Sequence, residues 1–257
     1  MSFLTYLKDG ISLGSVYAII ALGYTMVYGI AKMLNFAHGD IIMVGAYIAF
    51  CGLQYWNLPP VVAMLMAIVV CTLLGLTNEG LAYRPLRQAT SLAVLITAIG
   101  MSYLLQNLAL MIWGANPKSF PGTFINSFTL HLGRLTISSA TLITILANVV
   151  IMIALTLFTS RTKIGKAMRC VSEDRGAAQL MGINVNRTIS ITFAIGSALA
   201  AVAGVLLCSS YPILQPTTGS MPGIKAFTAA VFGGIGSIPG AMLGGILLGV
   251  SELFGKA

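Results

Sequence analysis

Charge is the scarcest commodity in this sequence. Asp, Glu, Lys and Arg make up 8% of its 257 residues, against 57% hydrophobic, whereas an ordinary soluble domain carries about 25% charged residues. So few charges cannot cover a water-exposed surface at this length. A soluble globular protein is therefore excluded, and the bilayer is the natural solvent. Cysteine is sparse too. Cys51, Cys71, Cys170 and Cys208 stand singly, with no CxxC pair, so neither a disulfide framework nor a zinc site is indicated and the four read as small apolar filler. His38 and His131 are isolated, which argues against a metal pair. GxxxxGK[ST] and HExxH are both missing, so the chain does not bind ATP through a phosphate loop and shows no zinc-protease signature. No catalytic site, cofactor or metal is expected. The net charge of +8 would suggest nucleic acid in a soluble protein. No aromatic-studded basic stripe accompanies it, so the excess is better explained by basic loops flanking membrane spans.

The uncharged stretches locate those spans. No ionised side chain occurs between Asp9 and Lys32, Asp40 and Glu79, Arg87 and Lys118, Arg134 and Arg161, Arg187 and Lys225, or Lys225 and Glu252. A spanning helix needs about 20 apolar residues, and each gap holds at least one. Hydrocarbon leaves backbone groups no partner, so spans are helices or a closed barrel. A barrel would alternate in segments of about 10 residues, and these runs do not. The expected fold is an all-α polytopic bundle of about seven spans, some discontinuous, forming one transmembrane domain over 1–257. The spans fall near 10–31, from the polar knot at 35–40 to the turn cluster at 54–60, 61–78, 91–113, 137–159 and 188–210, with a broken last region at 224–254. Residues 114–136 read as an external loop and 160–186 as a charged one. Lys8 beside Asp9 and the lack of a cleavage site make the first run a retained helix. Alternating spans gather Lys32, Arg84, Arg87, Arg161, Lys163, Lys166, Arg169, Arg175 and Arg187 on one side and leave Lys8, Lys118 and Arg134 on the other. The first side is cytoplasmic and the N-terminus lies outside. Small residues every fourth position (Gly196, Ala200 and Gly204; Gly240 and Gly244; Gly245 and Gly249) predict close helix contacts.

Three segments invite function. Asn35, His38 and Asp40 sit in a polar knot ahead of an apolar run too short for a full crossing, so either the helix starts earlier or it is a half-helix. Asp40 can cap that helix and complement its dipole, or line a path, since a charge at bilayer depth faces protein or water. In the 160–186 loop, Ala177, Leu180 and Met181 share a helical face; Glu173 and Asp174 suit that helix's N-terminus and Gly182 its C′ position. Such a face either stays solvated in a positive-inside loop or wants a partner. The third segment runs through Lys225 and Phe227 to Gly233 and Gly234 and reads as a half-helix followed by unwound backbone, a feature that marks transporter sites. Lys225 either snorkels to the outer interface or lines the path. A similar break at 29–45 is consistent with an inverted repeat.

Four separated motifs then fall in order. Leu34-Asn35-Phe36-Ala37-His38-Gly39-Asp40, Tyr83-Arg84-Pro85-Leu86-Arg87, Asp174 with Leu180-Met181-Gly182-Ile183-Asn184, and Lys225-Ala226-Phe227 with Gly233-Gly234-Ile235-Gly236-Ser237-Ile238-Pro239-Gly240-Ala241 resemble the permeases of high-affinity branched-chain amino-acid ABC importers. The resemblance implies a bacterial inner-membrane subunit paired with a second homologous permease. It also implies two cytoplasmic ABC ATPase subunits beneath and a periplasmic binding protein that delivers leucine, isoleucine or valine. It makes the segment from Gly165 through Arg169, Glu173, Asp174, Ala177, Leu180 and Met181 to Gly182 the ATPase-coupling element, and assigns Asn35, His38, Asp40, Lys225, Phe227, Gly233 and Gly234 to the path. Family members usually continue for one or two more spans, so the resemblance implies that the last of these are missing here. Relatives carrying urea or short amides share the framework. An ion-coupled transporter would need carboxylates within spans; Asp40, Glu79 and Glu252 are the candidates, all near span ends.

Overall fold

The computed structural model describes residues 3–87, 89–121, 129–132 and 135–256. Gly122 and Arg134, part of the expected external loop, lie outside them. Ten α-helices dominate: α1 (Phe3–Ala31), α2 (His38–Gln54), α3 (Pro60–Asn78), α4 (Ser91–Trp113), α5 (Ser139–Arg161), α6 (Lys163–Glu173), α7 (Arg175–Leu180), α8 (Val185–Ser210), α9 (Ser220–Phe232) and α10 (Ile238–Gly255). Two small antiparallel pairs join them. β1 (Lys118–Ser119) pairs with β4 (Ile213–Leu214), and β2 (Thr129–Leu132) with β3 (Leu135–Ser138), Thr129 opposite Ser138. Both fall in segments read as loop, because strands this short carry too little alternation to be seen in sequence.

Six helices are long and apolar enough to cross a membrane: α1, α3 with the π-helical turn Glu79–Tyr83 that prolongs it, α4, α5, α8 and α10. The short helices α2 and α9, of 17 and 13 residues, supply the discontinuous passes. The broken last region resolves into two helices, α9 and α10. The end of α10 therefore returns to the end of the bundle where α1 begins, and the Phe254 and Tyr6 rings lie 6.3 Å apart.

Burial divides the helices into two groups. α1, α2 and most of α8 are enclosed by protein, while α3, α4 and α5 turn valines, leucines and isoleucines outward. Lipid is as apolar as leucine, so helices associate where small residues let backbones touch. α10 runs antiparallel along α1 on this basis: a Cβ on Gly245 would lie 2.5 Å from the Ala18 Cα, and one on Gly14 would lie 2.7 Å from the Ile246 Cα. Gly204 of α8 seats in the same way on the Ile42 carbonyl of α2.

The basic residues mark one end. Arg87 binds Glu79 and Asn186, Arg175 donates to the Ala31 carbonyl that closes α1, and Arg169 donates to the Ser160 carbonyl at 3.2 Å. The positive-inside rule assigns this end to the cytoplasm and places α6 and α7 there.

Candidate translocation path and coupling surface

Beyond Ala31 the chain does not restart at the interface. Residues 32–37 lead back into the bundle, and α2 opens at His38, whose ring lies 4.6 Å from that of Tyr24. Tyr24 stands seven residues before the end of α1, about 10 Å up its axis. Gly23 leaves room for the imidazole, since a Cβ there would meet Nε2 at 2.5 Å. The half-helix alternative is thus the one adopted, with His38 and Asp40 both buried inside protein. From the other end, the segment after β4 descends to α9. The two helix starts meet back to back: a Cβ on Gly39 would lie 2.7 Å from the Gly219 carbonyl oxygen and one on Gly223 3.0 Å from the Gly39 Cα.

Neither α2 nor α9 has a side-chain N-cap. Helix N-termini carry about half a positive charge each, and Asp40 stands beside them in the first turn of α2, 2% exposed. Gln106 of α4 donates to Asp40 Oδ1 at 2.9 Å and lies 3.2 Å from Ser220 Oγ and 3.3 Å from Ser102 Oγ. One amide thereby ties α2, α4 and α9 into a polar knot. Around it, Asn35 Oδ1 accepts from Tyr83 at 2.8 Å, and the Phe227 ring sits 5.7 Å from that of Tyr24 and 5.8 Å from that of Phe36. His38 Nε2 is buried with no hydrogen-bond partner among the described residues.

Of the residues expected on the path, Asn35, His38, Asp40 and Phe227 therefore converge near Tyr24. Lys225 does not: it reaches the outer end, where its ammonium lies 2.6 Å from Glu252 Oε1. Gly233 and Gly234 form the corner from α9 to α10, where Gly233 packs on the Gly240 carbonyl and Gly234 takes a φ of +85°. Ser102, Gln106 and Ser220 escaped the sequence reading. Gln106 was detectable, being a long polar side chain deep in an apolar span. Glu79 is buried against Arg87 and accepts from Ser190 at 2.7 Å, a structural pairing that leaves it poorly placed for ion coupling.

At the cytoplasmic end, Thr162 caps α6 by accepting from the Gly165 N–H at 2.9 Å. Gly165 seats on the last turn of α5 and Met168 and Val171 are buried beneath, so the charged loop is a packed helix for half its length. Glu173 is the last residue of α6 rather than part of the next helix's start, because the 164–168–171 apolar stripe carries α6 that far. Asp174 alone caps α7, accepting from the Gly176 and Ala177 N–H groups at 2.7 and 3.1 Å. Gly182 closes α7 with a φ of +79° and donates to the Gln179 carbonyl at 2.9 Å, as a C′ glycine does. Arg175 pins α7 to the end of α1; partial burial, and then the neighbouring Arg87, holds its pKa below the ordinary guanidinium value. The face expected from Ala177, Leu180 and Met181 points away from the bundle, with Leu180 90% and Met181 82% exposed.

The family described as branched-chain amino acid transport system, permease component, matches residues 6–257. The high-affinity branched-chain amino acid transport system permease protein BraD of Pseudomonas aeruginosa is 46% identical over 98% of this chain and 86% of its own length. LivH of Escherichia coli K12, a permease protein of the same description, is 43% identical over 99% of this chain and 86% of its own length. A probable branched-chain amino acid transport permease of Methanocaldococcus jannaschii is 32% identical over 96% and 79%. Together with the apolar helices, these similarities make the chain a multi-pass inner-membrane permease, and it belongs to the family of branched-chain amino acid transport system permease components.

Proposed function

We propose that this chain is the membrane subunit of an ATP-driven, binding-protein-dependent importer for leucine, isoleucine and valine. It works with a second homologous permease, a periplasmic solute-binding protein and two cytoplasmic ATPase subunits, which bind the nucleotide; the chain itself needs no cofactor and performs no catalysis. Residues 1–257 act as a single permease domain, with 160–186 as its coupling loop.

The observation that carries this reading is the α7 surface. Two large apolar side chains held in water at the cytoplasmic end lower their free energy by entering a partner's groove. Asp174 and Gly182 fix where the helix starts and stops, and Arg175 ties it to Ala31. Closure of the ATPases displaces α7 and, through Arg175, the corner between α1 and α2, which leads within a few residues to His38 and Asp40. That displacement opens the polar knot in a switch between two packed arrangements. The permease is isolated from membranes with its partners, which are identified by mass spectrometry, and the complex is reconstituted with loaded binding protein. ATP-dependent uptake of leucine, isoleucine and valine is expected. Uptake of urea instead would reassign the substrate, and uptake driven by a proton or sodium gradient without ATP would overturn the importer reading.

A further inference from the structure

A cavity of about 570 Å³ opens at the end of the bundle opposite α6 and α7, a volume typical of small-molecule sites. Leu13 of α1, Leu207 of α8, Met221 of α9 and Leu253 of α10 give it an apolar wall. Its polar side is a charge cluster of unusual stoichiometry for a membrane protein. The ammonium groups of Lys225 and Lys256 both lie 2.6 Å from one carboxylate oxygen of Glu252, and Tyr17 donates to the other at 2.9 Å. Two cations share one anion, so the cluster carries a formal positive charge in excess. Lys225 and Glu252 are largely withdrawn from water, with side chains 36% and 14% exposed, while Lys256 stands at the rim at 63%. An unbalanced ammonium beside an apolar wall is poorly screened and favours an incoming carboxylate. Each ammonium also keeps donors beyond the one it points at Glu252.

The floor of the cavity adds a second constraint. Ser220 lines it and is the hydroxyl that Gln106 bonds in the knot with Asp40. A solute in the cavity therefore rests directly on the closed junction of α2 and α9.

We propose that this cavity is the outer-mouth subsite of the path and that it holds a free α-amino acid with an aliphatic side chain. The amino acid's carboxylate is taken by Lys256 and its ammonium by Glu252, which Lys225 holds in place from outside the lining, while its side chain lies against Leu13, Leu207 and Leu253. An aliphatic amine or a fatty acid satisfies only part of this set; a zwitterion with an apolar tail satisfies all of it. The assignment rests on the importer reading above.

The test uses the intact complex in nanodiscs and photo-leucine, a diazirine analogue, with adducts mapped by mass spectrometry. Label is expected on the segments around Leu13, Leu207 and Leu253, displaced by leucine and not by leucinol, which lacks the carboxylate. The pair Lys225→Met and Lys256→Gln is expected to lower that label by about tenfold, the effect of losing roughly one charge-assisted hydrogen bond, and Lys225→Arg to retain it. Lys256→Gln alone, at the exposed rim, keeps the test valid if the double variant does not fold; a fall of about threefold is expected there. Label confined to other segments, label unchanged in both variants, or displacement by leucinol as effective as by leucine would overturn the subsite. ATP-driven leucine uptake by the wild-type complex is followed in parallel. Uptake without label at the mouth rejects the subsite alone, and absence of uptake rejects the importer reading.

Discussion

Helices start in two very different ways in this molecule. At the cytoplasmic end, α6, α7 and α8 each begin with a side-chain cap, from Thr162, Asp174 and Asn184. Their ends can be solvated, so local hydrogen bonds suffice, and they hold an apolar face outward. At the junction of α2 and α9 no side-chain cap is present, and the two helix starts have to be held together across the bundle. The remedy is long-range: a buried carboxylate from one helix start, an amide from α4 and a hydroxyl from the other helix start, brought together by glycines that let the backbones touch. Local capping makes a stable fixed surface. A remote, shared hydrogen-bond knot makes a joint that depends on all three of its helices.

The contrast can be broken experimentally, most severely at Asp40. Asp40→Leu leaves the buried Gln106 amide without its acceptor; a loss of up to about 3 kcal/mol is expected, read as a collapse in folded yield and a lower thermal midpoint in detergent, with Asp40→Asn milder. Gly219→Val comes next, because its branches would have to occupy the space of the Gly39 carbonyl. Overpacking of this kind costs about 1–3 kcal/mol, and here it would force α2 and α9 apart, so reduced transport with retained insertion is the expected readout. The smallest effect on folding is expected from Leu180→Asp with Met181→Asp, within about 0.5 kcal/mol, while co-purification of ATPase subunits is lost. Equal destabilisation by the α7 and Asp40 variants would erase the distinction drawn between the two regions.

Particular residues show how far the chain could be read without coordinates. The uncharged gaps placed the long helices, because a side chain's compatibility with lipid is its own property. Asp174 and Gly182 were legible as the ends of α7, since capping acts over three or four residues. α6 was not, its stripe of Ile164, Met168 and Val171 being hidden among charges. Nor were the partners of Gln106, since Asp40 and Ser220 lie 66 and 114 positions away.

The sequence alone thus determined the solvent of this protein, its helical class, its sidedness and the boundaries of its cytoplasmic helix, all of which follow from side-chain transfer energies and local hydrogen bonding. Only the tertiary structure decided that the starts of α2 and α9 meet inside the bundle, that Gln106 joins Asp40 to Ser220 there, and that Lys225 turns to Glu252 at the other end. Those outcomes depend on which backbones approach each other across the fold, and on where buried charges then find their partners, quantities that no single segment encodes.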